Sequence, residues 1–137
     1  MNILILGSGI VGANLANKLS EQGKNVFLLD DNASELKRLS ERYDIKTILD
    51  DPLNPNFYTN FNNNIDYFIA VTNDDEVNIL SSLLAKRAGA ENCITLINNG
   101  SYSSLLNNIG IDITIDPKLI TISKILEKVK GGIIRSD

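Results

Sequence analysis

Short apolar runs alternate along the chain with longer segments in which apolar residues recur every three or four positions. The run Ile3–Leu6 predicts a buried strand, and Ile10, Leu15 and Leu19 then fall on one face of a helix. The same pairing of a strand with a helix recurs to the end of the sequence. Further strands are predicted at 26–29, 45–49, 67–71, 93–97 and 111–115, and further helices at 34–43, 56–61, 74–88, 102–109 and 117–129.

This alternation predicts an α/β fold of the Rossmann-like, doubly wound type. Six strands form a mostly parallel sheet with helices on both faces, because parallel strands need crossover connections. The signals at the ends of the predicted helices agree with their positions. The helix at 74–88 has acidic residues in its first turn and Lys86 and Arg87 in its last, as the helix dipole favours. The length of 137 residues fits one domain.

The segment from Gly7 to Gly12 has the pattern G-x-G-x-x-G, and it connects the first strand to the first helix. In this context Gly7 permits a tight turn, Gly9 lets the backbone approach a pyrophosphate, and Gly12 permits close packing of the helix. The phosphates would bind free N–H groups at the positive end of the helix. The predicted contact residues of this loop are Gly7, Ser8, Gly9, Ile10, Val11 and Gly12.

An acidic residue completes the nucleotide-binding pattern. Asp30 closes the second strand, eighteen residues after Gly12, where a carboxylate can accept hydrogen bonds from a ribose. The same carboxylate repels a 2′-phosphate, so NAD-type or plain adenosine ligands are favoured over NADP. The neighbouring Asp31 is included among the predicted contacts. The alternative is a tight turn and a helix-capping aspartate that bind nothing.

Composition and charge exclude several classes of function. The chain has 13 basic and 17 acidic residues, a net charge of −4, no histidine and a single cysteine, Cys93. Serine–histidine triads, histidine-containing metal sites and intramolecular disulfides are therefore excluded. A weakly acidic chain without a basic run is not expected to bind nucleic acid. No apolar run approaches the ~20 residues of a membrane span and no signal peptide is visible, which predicts a cytoplasmic protein without membrane insertion.

The sequence predicts a nucleotide site without catalysis. A dehydrogenase needs a group that handles protons and a substrate domain, and we expect neither here because histidine is absent and the sequence ends after its sixth strand and last helix. Two alternatives remain open at this point. One is a fragment of a nicotinamide-dependent oxidoreductase, and the other is a degenerate Rossmann fold that serves only as an assembly scaffold.

Two segments carry a more specific resemblance. Residues 69–79 read IAVTNDDEVNI and residues 85–90 read AKRAGA, and together with MNILILG at 1–7 and ITIDP at 113–117 they resemble the RCK/KTN (TrkA-N) domain family. The resemblance implies a domain that binds NAD(H), with ATP or ADP as alternatives. It also implies a peripheral cytoplasmic subunit that docks on a membrane potassium transporter and forms a homodimer or a larger ring. Residues 1–137 would then be one N-terminal domain of this family, and the residues after about 130 a linker toward a C-terminal domain.

The resemblance extends the predicted site to the ends of later strands. It implies that Thr72, Asn73 and Glu76 face the nucleotide and that Asp51 lies near the adenine. The sequence also departs from the family pattern at two places. Asp50 and Pro52 flank Asp51 where the family usually has glycine and alanine, which would stiffen the loop. The segment 97–102 lacks the arginine that often follows the fifth strand, so one charge-assisted phosphate contact is lost.

The last predicted helix is apolar over more than one narrow stripe. Its apolar residues are Ile120, Ile122, Ile125, Leu126 and Val129. Such a helix can cover the sheet with one side and meet a second subunit with the other, or bury both sides within its own chain. The resemblance favours a dimer.

Overall fold

A computed structural model describes residues 1–106 and 108–135 of the chain. The strands are β1 (Asn2–Leu6), β2 (Asn25–Asp30), β3 (Lys46–Leu49), β4 (Tyr67–Ala70), β5 (Asn92–Leu96) and β6 (Ile113–Ile115). The helices are α1 (Ile10–Glu21), α2 (Ala33–Arg42), α3 (Pro55–Thr59), α4 (Asp75–Arg87), α5 (Ser103–Leu106) and α6 (Pro117–Arg135). A 3-10 turn at Gly100–Tyr102 precedes α5.

The six strands form one sheet in the order β3-β2-β1-β4-β5-β6, and every neighbouring pair is parallel. The predicted doubly wound fold is therefore confirmed, and the sheet is parallel throughout. From β1 the chain first builds outward through β2 and β3 and then returns to place β4 on the other side of β1. This reversal opens a crevice at the carboxyl ends of β1 and β4, where ligands bind in folds of this type.

Two apolar clusters cover the two faces of the sheet. Alternate residues of a strand point to opposite faces, so Leu4 and Leu6 belong to one cluster and Ile3 and Ile5 to the other. The first cluster includes Tyr58 of α3, and it is completed by Phe27, Leu29, Ile65, Phe68, Ala70, Ala85, Ala90 and Cys93. The second is completed by Ala13, Ala16, Val26, Leu28, Leu36, Leu39 and Ile69. The central strands β1, β2 and β4 are buried on both faces, which explains their continuous apolar runs.

The helix limits agree with the sequence predictions except near the carboxyl terminus. The helix predicted at 102–109 is a 3-10 turn followed by the single turn of α5, and Asn107 lies outside the described residues. The last helix was expected to reach about Val129, but α6 continues to Arg135. Its hydrogen bonds run through two glycines because a glycine costs a helix only about 1 kcal/mol. The expected linker after residue 130 is thus helical as far as Arg135, and its role as a linker stays a prediction.

Helix α6 does not pack on the sheet. All side chains from 118 to 130 are exposed, including Ile125 at 57% and Leu126 at 62%. The expectation that this helix covers the sheet is therefore wrong, as is the alternative that the chain buries both of its sides. Only Asp116 separates β6 from Pro117, and one residue is too short to turn the helix back across the sheet. Among the described residues, no helix combines the length and the apolarity that crossing a bilayer requires.

The first turn of α1 lies directly against the end of β1. A Cβ atom on Gly12 would stand 1.7 Å from the carbonyl oxygen of Gly7. Gly7 itself has φ +116°, and a Cβ there would approach the backbone of Val71 and Thr72 to 3.2 Å. The predicted roles of these two glycines, close helix packing and a tight turn, are consistent with this geometry. Gly9 differs because a Cβ at that position would meet nothing within 4 Å.

We expect Gly12→Ala to destabilise the protein strongly and Gly9→Ala to leave it nearly unchanged. The methyl group at position 12 forces α1 away from β1, which should lower the free energy of unfolding by about 2 kcal/mol or more. The methyl group at position 9 enters open space and should cost about 1 kcal/mol or less, as an alanine at an N-cap does. Urea denaturation of both variants measures the difference. Equal losses would contradict the close packing described above.

Candidate functional site

Three clefts join into one groove along the carboxyl edge of the sheet. The first, of about 450 Å³, lies over the glycine loop, and the second, of about 320 Å³, lies toward the ends of β2 and β3. The third, of about 420 Å³, lies between the start of α4 and the segment after β5. Asp30 and Thr72 line both the first and the second cleft, Asn73 lines the first and the third, and Asp74 lines the second and the third. The groove is therefore continuous.

The glycine loop presents backbone N–H groups to the first cleft. Gly9 is the N-cap of α1 in an extended conformation, and no side chain caps the helix. The N–H groups of the first turn of a helix have no partner within the helix, and the helix dipole adds partial positive charge there. Ile10 and Val11, which also line this cleft, are 85% and 54% exposed. This arrangement suits an anion such as a pyrophosphate.

Asp30 holds the loop from the end of β2. Its Oδ2 accepts hydrogen bonds from the Ser8 N–H and the Ser8 hydroxyl, both at 2.7 Å, and its Oδ1 accepts one from the Asn32 N–H at 3.0 Å. A carboxylate has about four acceptor positions, so one remains for a ligand hydroxyl. Burial acts to raise the pKa of Asp30, but the hydrogen bonds from Ser8 and Asn32 outweigh it and hold the pKa below its usual value. Asp30 therefore has a structural role, which is to hold the glycine loop through Ser8, and its contact with a ribose stays a prediction.

The second cleft is walled by the loop after β3. Asp31, Asp51, Pro52 and Leu53 line it. The Asp51 carboxylate accepts a hydrogen bond from the Leu53 N–H at 2.9 Å, and the buried Tyr58 hydroxyl donates to the Pro52 carbonyl at 2.6 Å. Burial raises the pKa of Tyr58, so the hydroxyl remains a donor at any physiological pH. The loop around Asp51, where the sequence departs from the family pattern, is therefore held in place by a hydrogen bond from Tyr58 of α3.

Asn78 connects the ends of β4 and β5, and sequence analysis assigned it no role. Its Oδ1 accepts hydrogen bonds from the Thr72 N–H at 3.1 Å and from the Thr72 hydroxyl at 2.6 Å. Its Nδ2 donates to the carbonyls of Thr72 and Leu96, both at 3.0 Å. The side chain is fully buried and fixes Thr72 at the centre of the groove. The only signal in the sequence is an amide at a helix position that faces the sheet.

The three acidic residues at the start of α4 have three different roles. Asp74 caps the helix by accepting a hydrogen bond from the Val77 N–H at 3.1 Å. Asp75 is buried and instead accepts hydrogen bonds from the N–H groups of Asn98 and Asn99, at 2.8 and 2.7 Å. The Glu76 carboxylate accepts a hydrogen bond of 2.6 Å from the Tyr102 hydroxyl, and this bond raises the pKa of Tyr102. The start of α4 is therefore tied to the segment after β5.

The groove brings together nearly all the residues that the sequence singles out. Eleven of the twelve line one of the three clefts, and they are Gly7, Ser8, Gly9, Ile10, Val11, Asp30, Asp31, Asp51, Thr72, Asn73 and Glu76. Gly12 lies behind the loop, where it serves packing. Within the described part of the chain, no group of three potential ligand side chains is arranged to hold a metal ion. Nucleotide binding by these residues stays a prediction.

Solved structures of known proteins share this architecture. The NAD(P)-binding domain of an exopolyphosphatase-related protein from Archaeoglobus fulgidus superposes with a TM-score of 0.84 at 17% identity, over 94% of this chain and 97% of that one. The GsuK channel bound to NAD superposes with a TM-score of 0.74 at 19% identity, over 83% of this chain and 21% of the channel. The same channel bound to ADP gives 0.74 at 19% identity. At these identities the similarity establishes the fold alone.

A curated relative is similar in sequence over almost the whole chain. The Trk system potassium uptake protein TrkA of Halomonas elongata is 40% identical over 132 residues, which cover 95% of this chain and 29% of that protein. The chain thus spans less than a third of the length of that relative. The model of the TrkA-N domain matches residues 3–117, which is most of the sequence. The predicted resemblance is thereby confirmed, and this chain belongs to the TrkA-N domain family.

Proposed function

We propose that this chain is a nucleotide-binding regulatory domain of a potassium uptake system. The observation that carries the proposal is the N-terminus of α1, which no side chain caps. It lies beside Asp30 where the order of strands reverses. The relative from Halomonas elongata is named for potassium uptake, and the GsuK channel has been solved with NAD and with ADP. NAD(H) is the ligand that we propose first, with ATP or ADP as alternatives.

Each part of the groove suits a different part of the nucleotide. The phosphates would accept hydrogen bonds from the loop around Gly9, and the ribose hydroxyls would donate to the remaining acceptor position of Asp30. The adenine would lie against Leu53 in the second cleft, near Asp31 and Asp51. Thr72, Asn73 and Glu76 would face the ligand from the ends of β4 and α4.

Regulation would follow from unequal binding to two arrangements of the domain. A ligand shifts such an equilibrium only by the difference in its affinity for the two states. The contacts of Asp75 and Glu76 with residues 98–102 provide a physical connection from the groove toward β6 and α6. A transporter subunit attached to this part of the domain would then respond to the nucleotide. In this proposal the protein acts in the cytoplasm, at the membrane only through its partner.

We propose regulation rather than catalysis, because the curated relative is named for potassium uptake. The fold itself does not decide between the two, since dehydrogenases share it. An assay of hydride transfer with a panel of alcohols and aldehydes separates a regulator from an oxidoreductase fragment. Titration with NADH and ATP separates a nucleotide-binding regulator from an assembly scaffold that binds no nucleotide.

We also propose a homodimer that forms through α6. Its exposed apolar residues are Leu119, Ile120, Ile122, Ile125, Leu126 and Val129. Most of the stability of a helix in a protein comes from packing of its apolar side, so a second surface that covers the apolar side of α6 would stabilise it. Closed two-fold dimers are the commonest way to cover such a surface, and larger rings can be built from them.

The first prediction concerns the glycine loop. Gly9→Val places a branched side chain where a pyrophosphate would approach, so the affinity for NADH should fall about tenfold or more. The fold should survive, because a Cβ at this position meets nothing within 4 Å. Calorimetric titration measures the affinity, and an unchanged melting temperature serves as the control. Normal binding by the variant would mean that the ligand lies elsewhere.

A second prediction concerns the choice of cofactor. NADH should bind more tightly than NADPH, because Asp30 can accept hydrogen bonds from the ribose hydroxyls and repels a 2′-phosphate. Asp30→Ala should narrow the difference in affinity, which fluorescence titration with both cofactors measures. Ser8→Ala is a matched control because it removes a hydrogen-bond partner of Asp30 but keeps the carboxylate. Equal affinities in the unmutated domain would contradict the assignment.

A third prediction concerns assembly. Light scattering should show a dimer at tens of micromolar, and Ile125→Asp or Leu126→Asp should weaken it by placing a charge in an apolar interface. Lys124→Gln changes the net charge by the same one unit at a position about 100° around the helix from Ile125 and about 160° from Leu126, and it should have little effect. A monomer at that concentration would refute the proposal. A dimer that tolerates both substitutions would place the interface elsewhere.

A further inference from the structure

The groove is strongly acidic. Six acidic side chains line its three clefts, namely Asp30, Asp31, Asp51, Asp74, Asp75 and Glu76. No lysine or arginine lines any of these clefts among the residues that the structure describes. A ligand phosphate in the groove would therefore meet only backbone N–H groups and polar side chains as hydrogen-bond donors. Its remaining negative charge would face carboxylates.

One basic side chain lies beside the third cleft without lining it. Lys118, at the start of α6, donates to the carbonyl of Asn98 and lies 3.3 Å from the Asp116 carboxylate. The side chains that line the third cleft on this side are the neutral amides of Asn98 and Asn99 and the hydroxyl of Tyr102. The backbone N–H groups of the two asparagines already bind Asp75. The side chains that line the cleft after β5 are therefore neutral, and the charge of Lys118 beside them is paired with Asp116.

Helix α1 can balance only part of a ligand's charge. The N-terminus of a helix carries about half of an elementary positive charge. Near neutral pH, NAD⁺ carries about one net negative charge, ADP about three and ATP about four. Each charge beyond the first is repelled by the acidic side chains along the groove, and the clefts concentrate this field. The repulsion grows from NAD⁺ to ATP while the glycine loop is the same for all three.

We propose that this groove selects its nucleotide by net charge, with NAD⁺ bound most tightly, ADP less tightly and free ATP least, and that Asp74 is a determinant of this selectivity. The inference rests on the proposed function, since it assumes that nucleotides bind here. Asp74 is exposed and lines both the second and the third cleft. It flanks the groove on the side of α4, opposite the glycine loop.

The dependence of affinity on salt tests the inference directly. We would titrate the chain with NAD⁺, ADP and ATP by calorimetry, with a chelator present so that no metal neutralises the phosphates. At an ionic strength of about 0.05 M repulsion acts across the groove, and at about 0.5 M it is largely screened. The affinity for ATP should therefore rise with salt, whereas the affinity for NAD⁺ should change little. An ATP affinity that falls with salt would overturn the inference.

A pair of charge-neutralising variants tests the role of Asp74. Asp74→Asn keeps a good helix cap and removes one negative charge, so it should strengthen ATP binding at low salt by ~3-fold or more. The effect on NAD⁺ should be smaller. Asp44→Asn removes the same charge from an exposed position. Asp44 precedes β3 at the amino ends of the strands, whereas the groove lies at their carboxyl ends, so this variant should change neither affinity. Equal effects of the two variants on ATP would show that only the total charge matters and would overturn the role of Asp74.

Failure of this inference and failure of the proposed function give different results. If none of the three nucleotides binds at either salt concentration, the proposed function fails and the inference fails with it. If all bind with equal affinity, or if ATP binds most tightly, the groove is a nucleotide site that does not select by charge. Binding of NAD⁺ ahead of ATP, with the gap closing at high salt, supports both.

Discussion

The contact between residue 12 and the carbonyl of Gly7 determines how the groove is built. Helix α1 can begin directly after β1 only because Gly12 has no side chain, and a Cβ there would lie 1.7 Å from that carbonyl oxygen. The close approach places the N-terminus of α1 at the point where the order of strands reverses. Asp30 then fixes the intervening loop through two hydrogen bonds to Ser8. The exposed N–H groups at the N-terminus of α1 are thus a consequence of backbone packing, and a site that used them to bind an anion would need no basic side chain.

Much of the fold could be predicted because local patterns and global topology agree. The central strands are buried on both faces, so apolar runs such as Ile3–Leu6 mark them clearly. The G-x-G-x-x-G pattern predicts a phosphate-binding turn only where it connects a strand to a helix, and the sequence predicts both elements. The placement of α6 could not be predicted in the same way. It depends on the length of the connection from β6 and on which surface covers the helix, and helical periodicity gives information on neither.

The predicted contact residues lie together along the groove, and their role in binding stays a prediction. Eleven predicted residues line the groove, yet the side chains that fix the groove were not foreseen. Asp75 reads as one of three helix-start acids, but it lies buried against the N–H groups of Asn98 and Asn99. Asn78 reads as an ordinary helix residue, but it joins the ends of β4 and β5. The partners of Asp75 and the Leu96 partner of Asn78 are 18 to 24 residues away in the sequence, and a periodic pattern carries no information about contacts of that range.

The direct passage from β6 into α6 has a mechanical consequence. Nineteen helical residues form a rod about 28 Å long, and a single residue joins it to the edge of the sheet. A tilt of about 5° at Pro117 displaces the far end of the rod by about 2.5 Å, since displacement grows with distance from the pivot. The segment from Asn98 to Tyr102, tied to the start of α4, lies close to this pivot through Lys118. The domain therefore has the geometry of a lever, in which a small change of tilt at Pro117 becomes a displacement of about 2.5 Å at the tip of α6.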